Sequence, residues 1–303
     1  GAGGLRIALI YASDIAKLSA SFYYGKNFTL SRCKAEIILF WRIDNMKKKC
    51  IAGAALAFFL SGALSAQSAY DIMKAVKDRY QGETAIYKMK LTLLSAKGSA
   101  RERQVIYYSK DYGDTEKSVM VFQTPKDVAG VGYLVWSYDE KDKDDNTWLY
   151  MPAMKKVRRI SGSGKDGYFM GTDFTYDDMG NRDLSKDDFN LIGEEEIDGE
   201  SCWKIECIPQ NRTEKNSRRI CWVRKDNAML LKSEYYNRQN ALERVLTISG
   251  VKQVDGIWTA ETMTMKNLLS GHSTIIETAD ISYNQPIDDA LFTVSSLERG
   301  AVK

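Results

Sequence analysis

Apolar and polar residues alternate along most of the chain after residue 84. Between residues 86 and 94, Met89, Leu91 and Leu93 fall on one side, and lysine and threonine fall on the other. A period of two is typical of β-strands with one buried face. The same pattern recurs in the segments 101–109, 117–124, 130–138, 146–151, 157–160, 192–197, 202–208, 218–224, 229–236, 242–251, 257–266 and 274–283.

One segment ahead of these strands follows a helical period instead. Over residues 70–80, Ile72, Met73 and Val76 recur at the spacing of one helix face, and Gly82 follows as a stop signal. The pattern predicts a single amphipathic helix before the first strand.

The predicted strands are joined by turns rather than by helices. Asp198-Gly199 and Asp255-Gly256 are residue pairs that favour tight hairpins. Parallel neighbours would need long crossovers, whereas antiparallel strands need only such turns. About a dozen strands in this arrangement predict a mainly β protein with a few helices, built on one large curved antiparallel sheet.

A sheet of this size curls because the twist of its strands accumulates, and the concave face must then be filled. Methionine and aromatic side chains on that face adapt to hydrocarbon chains of varied shape. Two interpretations stay open, since the same residues either line a groove for an apolar ligand or pack a closed core. The candidate groove residues are Met89, Leu91, Leu93, Leu149, Trp203, Ile205, Trp222, Leu231, Met263 and Met265.

A long glycine-rich and aromatic loop, residues 161–181, interrupts the strands. Loops of this length are usually functional or mobile, so we expect Phe169 and Phe174 to cover one mouth of the concave sheet. Asp173, Asp177 and Asp178 in this loop lack the spacing of a calcium-binding loop. No metal site is predicted there.

The first 66 residues carry a targeting pattern. A basic stretch from Met46, an apolar run over residues 51–60 and the small residues 61–66 form the three parts of a secretory signal peptide. We expect cleavage near Ala66 and a periplasmic protein whose single domain covers residues 67–303. Residues 1–45 precede this start and are expected to be a non-native or mis-annotated extension.

Composition narrows the chemistry. The net charge of +3 gives no support for nucleic-acid binding. The single histidine, His272, is the only one that a catalytic triad could use, and a His-rich metal site cannot be built. Without a nucleophile motif, we expect no enzymatic activity and no cofactor. Of the five cysteines, Cys202, Cys207 and Cys221 follow the signal segment; a disulfide from Cys207 or Cys202 to Cys221 and buried free thiols are both open.

The segment 148–178 carries the most specific motif in the chain. It contains Trp148-Leu149-Tyr150 followed by Pro152, the basic run 156–160, and the stretch 169–174 with two aspartates after it. This pattern resembles the outer membrane lipoprotein-sorting protein family, the LolA-like proteins. The resemblance implies a half-open β-barrel around a helical plug, an acyl-chain ligand, and an inner-membrane transporter of the RND or ABC type as a partner.

Arg158 and Arg159 suggest a contact between a strand and the long loop. Alternation sends their side chains to opposite faces, so one of them should point inward or toward Asp173, Asp177 or Asp178. A buried arginine favours a carboxylate partner. We therefore predict a latch between this strand and the loop, beside the alternative of a purely structural pair.

Four classes of function compete for this pattern. A carrier for a lipid or a lipoprotein acyl chain, with transient membrane contact only, explains the apolar faces and the export signal together. The alternative is a non-enzymatic accessory module of an RND-type export complex. An integral outer-membrane barrel is disfavoured by the many charges on the second face of the strands, and an enzyme by the single histidine.

Overall fold

The computed structural model describes residues 67–140 and 143–299. The predicted signal peptide, its cleavage site near Ala66 and the extension over residues 1–45 lie outside the described residues. Among the residues described, no helix is both long and apolar enough to cross a membrane.

Fifteen strands and two α-helices make up this part of the chain. The helices are α1, Ala69–Lys77, and α2, Val294–Glu298. The strands are β1 Thr84–Leu94, β2 Ala100–Asp111, β3 Thr115–Thr124, β4 Gly132–Tyr138, β5 Asn146–Met151, β6 Lys156–Ile160, β7 Asp187–Ile197, β8 Glu200–Pro209, β9 Asn216–Arg224, β10 Leu230–Asn237, β11 Leu242–Ser249, β12 Lys252–Val254, β13 Ile257–Thr259, β14 Thr262–Asn267 and β15 Ser273–Tyr283.

Thirteen of these strands form one sheet in the order β6-β5-β4-β3-β2-β1-β15-β14-β11-β10-β9-β8-β7. Every pairing is antiparallel, and β1 joins the two halves by pairing with both β2 and β15. Strands β6 and β7 are the two edges, so the sheet is not closed into a barrel. The prediction of a large antiparallel, half-open sheet is confirmed.

The sheet is strongly curved, as contacts through the loop 161–181 show. Tyr133 on β4 donates to the carbonyl of Tyr176 at 3.4 Å, and Tyr168 donates to Glu243 at the start of β11 at 3.1 Å. Six strand spacings separate β4 from β11, which is roughly 29 Å in a flat sheet. Tyr168 and Tyr176 lie close together, because Tyr168 forms a β-bridge with Thr175. Strands β4 and β11 can therefore both contact this short loop only if the sheet curls around it.

Helix α1 covers the inner face of the sheet at the β8–β9 end. Ser68 caps its first turn by accepting from the backbone N–H of Asp71 at 3.1 Å. Ile72 is fully buried against Ile205 and Val223, on the face that also carries Cys207 and Cys221. The predicted amphipathic helix is therefore present and serves as part of the plug.

The C-terminal segment covers the opposite face of β3 and β4. Phe292 and Leu297 pack there on Val119, Val121 and Leu134. Gly132 lies under Leu297, so close that a Cβ at this position would collide with the leucine side chain. This part of β3 and β4 is consequently buried on both faces.

The predicted strand over residues 257–266 differs from the structure. The chain turns at residues 260–261, and Ile257–Thr259 pairs with Lys252–Val254 in a separate two-stranded hairpin. Only Thr262–Asn267 joins the main sheet, between β11 and β15. The alternation of apolar and polar residues continues through the bend because each of the two strands buries one face. The sequence pattern therefore does not reveal the bend.

Candidate functional site

The inner face of the sheet is filled by two elements that leave a space between them. Helix α1 covers the β8–β9 end, and the loop 161–181 covers the strands from β5 to β1 together with β11 and β14. The space between these two fillers is the candidate site.

The loop fills its part of the hollow with aromatic side chains. Phe169 is 1% exposed, and its ring centroid lies 4.8 Å from Tyr133 and 5.6 Å from Tyr176. Phe174 is buried in the same cluster, and its carbonyl accepts from the backbone N–H of Phe169 at 2.7 Å. Both residues are part of the core, whereas the sequence predicts that they cover one mouth of the concave sheet.

Arg244 on β11 holds this loop in place. Its side chain is fully buried, donates to the carbonyl of Asp173 at 3.0 Å and forms an ion pair with Asp178. Asp173 in turn accepts from the hydroxyl of Thr274 at 2.8 Å, and its burial raises the pKa of that carboxyl. Arg103 on β2 adds a hydrogen bond to the carbonyl of Met170. A latch between the sheet and the loop therefore exists.

The predicted members of that latch are wrong. Arg158 and Arg159 are both exposed, because β6 is an edge strand that leaves much of its surface to solvent. Arg159 donates to Asn146, and neither arginine contacts a carboxylate within the described part of the loop. Asp177 pairs instead with Arg182, at 3.6 Å.

The predicted groove residues separate into several environments. Met89, Leu91, Leu149 and Met265 are buried in the cluster that contains Phe169, and Leu93 packs at its margin.

Trp203 and Ile205 lie under α1, whereas Trp222 and Leu231 belong to a separate cluster beside Trp258. Met263 alone of the ten borders the open space between the two fillers. A role in ligand binding stays a prediction for all of them.

That space is a cavity of about 430 Å³ on the inner face. Its apolar wall is formed by Met263, Ile248 and Met229, from β14, β11 and the residue before β10. The segment 77–82, which includes the end of α1 and the turn after it, lines the cavity with Trp258 of the small hairpin. The hollow predicted from the alternating pattern is therefore largely packed, but a space of ligand size remains in it.

The remaining wall of the cavity is polar. The rings of Tyr87 and Tyr107 stack with centroids 4.5 Å apart, and burial raises the pKa of both phenols, so both stay neutral hydrogen-bonding groups. Glu116 accepts from the side chain of Asn181 at 2.9 Å, and burial raises the pKa of its carboxyl. The cavity consequently offers one apolar and one polar surface to a ligand.

Arg79 adds a cation to this lining. Its Nη1 donates to the carbonyl of Trp258 at 2.8 Å, while Nε is buried and has no hydrogen-bond partner among the residues that the structure describes. Sequence reasoning missed Arg79, Tyr87, Tyr107, Glu116 and Arg244. The alternation along the strands could have indicated most of them, because residues two or four apart share one face of a strand. Tyr87 lies on the same face as Met89, and Arg244 lies on the same face as Ile248.

The three cysteines of the described residues are buried free thiols. Cys207 and Cys221 face each other under α1 with their sulfur atoms 3.9 Å apart, and Cys202 lies in a different cluster. Over the same described residues, no group of three or more His, Cys, Asp or Glu side chains is arranged to hold a metal ion.

Comparisons with known proteins agree with this architecture. A family model with the description "Uncharacterized protein" matches residues 114–299, and no curated protein matches the sequence. A crystal structure of a DUF1329 family protein from Desulfovibrio piger is 34% identical, and the match covers 76% of this chain and 97% of that chain with a TM-score of 0.71.

Two further structures extend the comparison. A domain from Vibrio parahaemolyticus, described as an outer membrane lipoprotein-sorting protein domain, is 32% identical over 76% of this chain and 98% of that chain, with a TM-score of 0.71. A LolA superfamily protein from Nitrosomonas europaea is 17% identical over 75% and 98% of the two chains, with a TM-score of 0.57, and shares the fold. The chain therefore belongs to the family of these DUF1329 and outer membrane lipoprotein-sorting relatives, as its motif over residues 148–178 predicts.

Proposed function

We propose that this protein binds the hydrocarbon tail of a lipid or of a lipoprotein acyl chain in the inner cavity and carries it between membranes. The observation that carries the proposal is the cavity of about 430 Å³ that remains between α1 and the loop 161–181. Small-molecule sites are typically concavities of roughly 300–1,000 Å³, so the space suits part of a lipid. Membership of a family with a lipoprotein-sorting relative supports the same conclusion.

The apolar wall provides the free energy that would hold a tail. Each methylene group that leaves water for the surface of Met229, Ile248 and Met263 contributes about 0.8 kcal/mol. Methionine side chains adjust to tails of different shape. Transfer into and out of such a cavity makes and breaks no covalent bond, so the proposal includes no catalytic residue and no cofactor.

The site of action in this proposal is the periplasm. The support is the signal pattern over residues 46–66, which would deliver the domain to the compartment between two membranes. A transporter of the RND or ABC type as the partner stays a prediction from the family resemblance.

The test introduces tryptophan at two adjacent residues of β11. Ile248 borders the cavity, whereas the exposed Thr247 points to the opposite face of the strand. Ile248→Trp fills the cavity, and Thr247→Trp adds the same side chain outside it. We expect organic extracts of the wild type and of Thr247→Trp, each purified from the native host, to contain lipid by mass spectrometry, and extracts of Ile248→Trp to contain at least about tenfold less.

Circular dichroism and thermal unfolding establish that each variant is folded. Equal lipid content in the two tryptophan variants, or a wild-type protein that carries no lipid from its host, would contradict the proposal.

A further inference from the structure

Two cations, Lys77 and Arg79, line the inner cavity, and Arg79 is the one that is poorly matched within the described residues. Arg79 follows α1 directly, and the cavity is lined by its side chain. The hydrogen bond from Nη1 to the carbonyl of Trp258 fixes the guanidinium, but the buried Nε has no hydrogen-bond partner within residues 67–140 and 143–299. The one acceptor that the structure records for this cation is thus a neutral carbonyl.

Four acidic residues also line the cavity, Asp78, Asp111, Glu116 and Asp139, and none of them forms an ion pair with Arg79. Asp78 pairs with Lys74, and Asp139 pairs with Lys77 at 3.1 Å. Over the described residues, no carboxylate lies within ion-pair distance of the Arg79 guanidinium. Burial accordingly lowers the pKa of Arg79, and the nearby Tyr283 and Tyr87 offset this effect only in part.

A partly buried and unpaired guanidinium is costly because it loses hydration without gaining an opposite charge. Arginine suits oxyanions in particular, since its planar donors match carboxylate and phosphate groups. The apolar wall of Met229, Ile248 and Met263 borders the same cavity. A single ligand with an anionic head and a hydrocarbon tail would satisfy both surfaces.

We infer that the ligand is an anionic amphiphile whose carboxylate or phosphate headgroup is bound by Arg79 while its tail lies on the apolar wall. This inference rests on the proposed function and narrows it to one class of lipid. The headgroup lies at the α1 end of the cavity, next to the carbonyl of Trp258, and the tail extends toward β11 and β14. Arg79 therefore selects the ligand by charge, whereas the apolar wall supplies affinity for any tail.

The test compares ligands that differ only in the headgroup. The uncharged fluorescent probe N-phenyl-1-naphthylamine is bound to the full chain after removal of host lipid, and palmitate, 1-palmitoyl lysophosphatidate, 1-hexadecanol and inorganic phosphate compete with it. We expect palmitate or the lysophosphatidate to displace the probe at about tenfold lower concentration than hexadecanol, because a charge-assisted hydrogen bond is added. The two acidic lipids distinguish a carboxylate site from a phosphate site, and inorganic phosphate, which has no tail, should not displace the probe.

Three variants locate the selectivity. Arg79→Gln should abolish the preference for the acidic lipids, and Arg79→Lys should retain part of it. Arg158→Gln is the matched control, since it makes the same substitution at an exposed residue of β6 that does not line the cavity, and it should leave the preference unchanged.

The outcomes distinguish this inference from the proposed function. Probe binding with equal displacement by palmitate, lysophosphatidate and hexadecanol would overturn the role of Arg79 and leave the carrier proposal intact. An unchanged preference in a folded Arg79→Gln protein would do the same, as would displacement by inorganic phosphate alone. Failure of the lipid-free wild type to bind the probe or any of the lipids would overturn the proposed function itself.

Discussion

At the scale of single residues, two arginines at the inner face of this sheet have different surroundings. Arg244 is fully buried and has a carboxylate partner in Asp178, with a contact to the ring of Tyr235 at 4.6 Å. Arg79 is partly buried and has none. A paired arginine fixes the protein to itself, whereas an unpaired one at a cavity remains available to a ligand.

The pairing of Arg244 leads to a stability prediction. Arg244→Ala should lower the free energy of unfolding in urea by about 3 kcal/mol or more, because removal of one partner leaves the carboxylate of Asp178 buried without its counter-charge. Arg159→Ala is the control, since this arginine is exposed on β6 and should change stability by no more than about 0.5 kcal/mol. A similar loss in the free energy of unfolding for both variants would contradict this role of Arg244 and favour the predicted contact between β6 and the loop.

At the scale of elements, the loop 161–181 behaves as part of the core rather than as a surface connection. It contains short helical turns instead of strands, and its aromatic residues pack on β3 and β4 from the concave side. Backbone hydrogen bonds between residues 167 and 176 close it into a compact unit. With α1 it constitutes the plug, and its last residue, Asn181, contributes to the wall of the cavity.

The loop should therefore contribute to global stability. Phe169→Ala is expected to reduce the free energy of unfolding by about 3–5 kcal/mol, since a fully buried ring is lost from a packed cluster. Ser163→Ala, on the exposed part of the same loop, is the matched variant and should be nearly neutral. Urea unfolding followed by tryptophan fluorescence measures both. A neutral Phe169→Ala would show that the loop is only a cover.

At the scale of the whole molecule, the sheet is open between its two edge strands and holds a cavity on its inner face. Strands β6 and β7 do not pair, and the space between α1 and the loop remains unfilled by side chains. A bound tail would complete the core at this place. Ligand occupancy and stability of the fold should consequently be linked.

Removal of lipid should make that linkage visible. A ligand at 100 times its Kd adds about 2.7 kcal/mol to the free energy of unfolding, which corresponds to about 5–10 °C in Tm for a domain of this size. We expect calorimetry to show a lower Tm for wild-type protein after organic extraction and refolding than for the same protein reloaded with palmitate. Ile248→Trp should show no such difference. Equal Tm values for extracted and reloaded wild type would contradict a ligand that completes the core.

The sequence by itself determined the elements and their class. A period of two is a local property of each strand, so the strands, the helix that carries Ile72 and the open antiparallel sheet were predicted closely. Which side chains meet across the hollow depends on curvature and on the path of the loop. For that reason only the tertiary structure revealed that Phe169 fills the core, that Arg244 rather than Arg158 or Arg159 holds the loop, and that the remaining space lies beside Arg79.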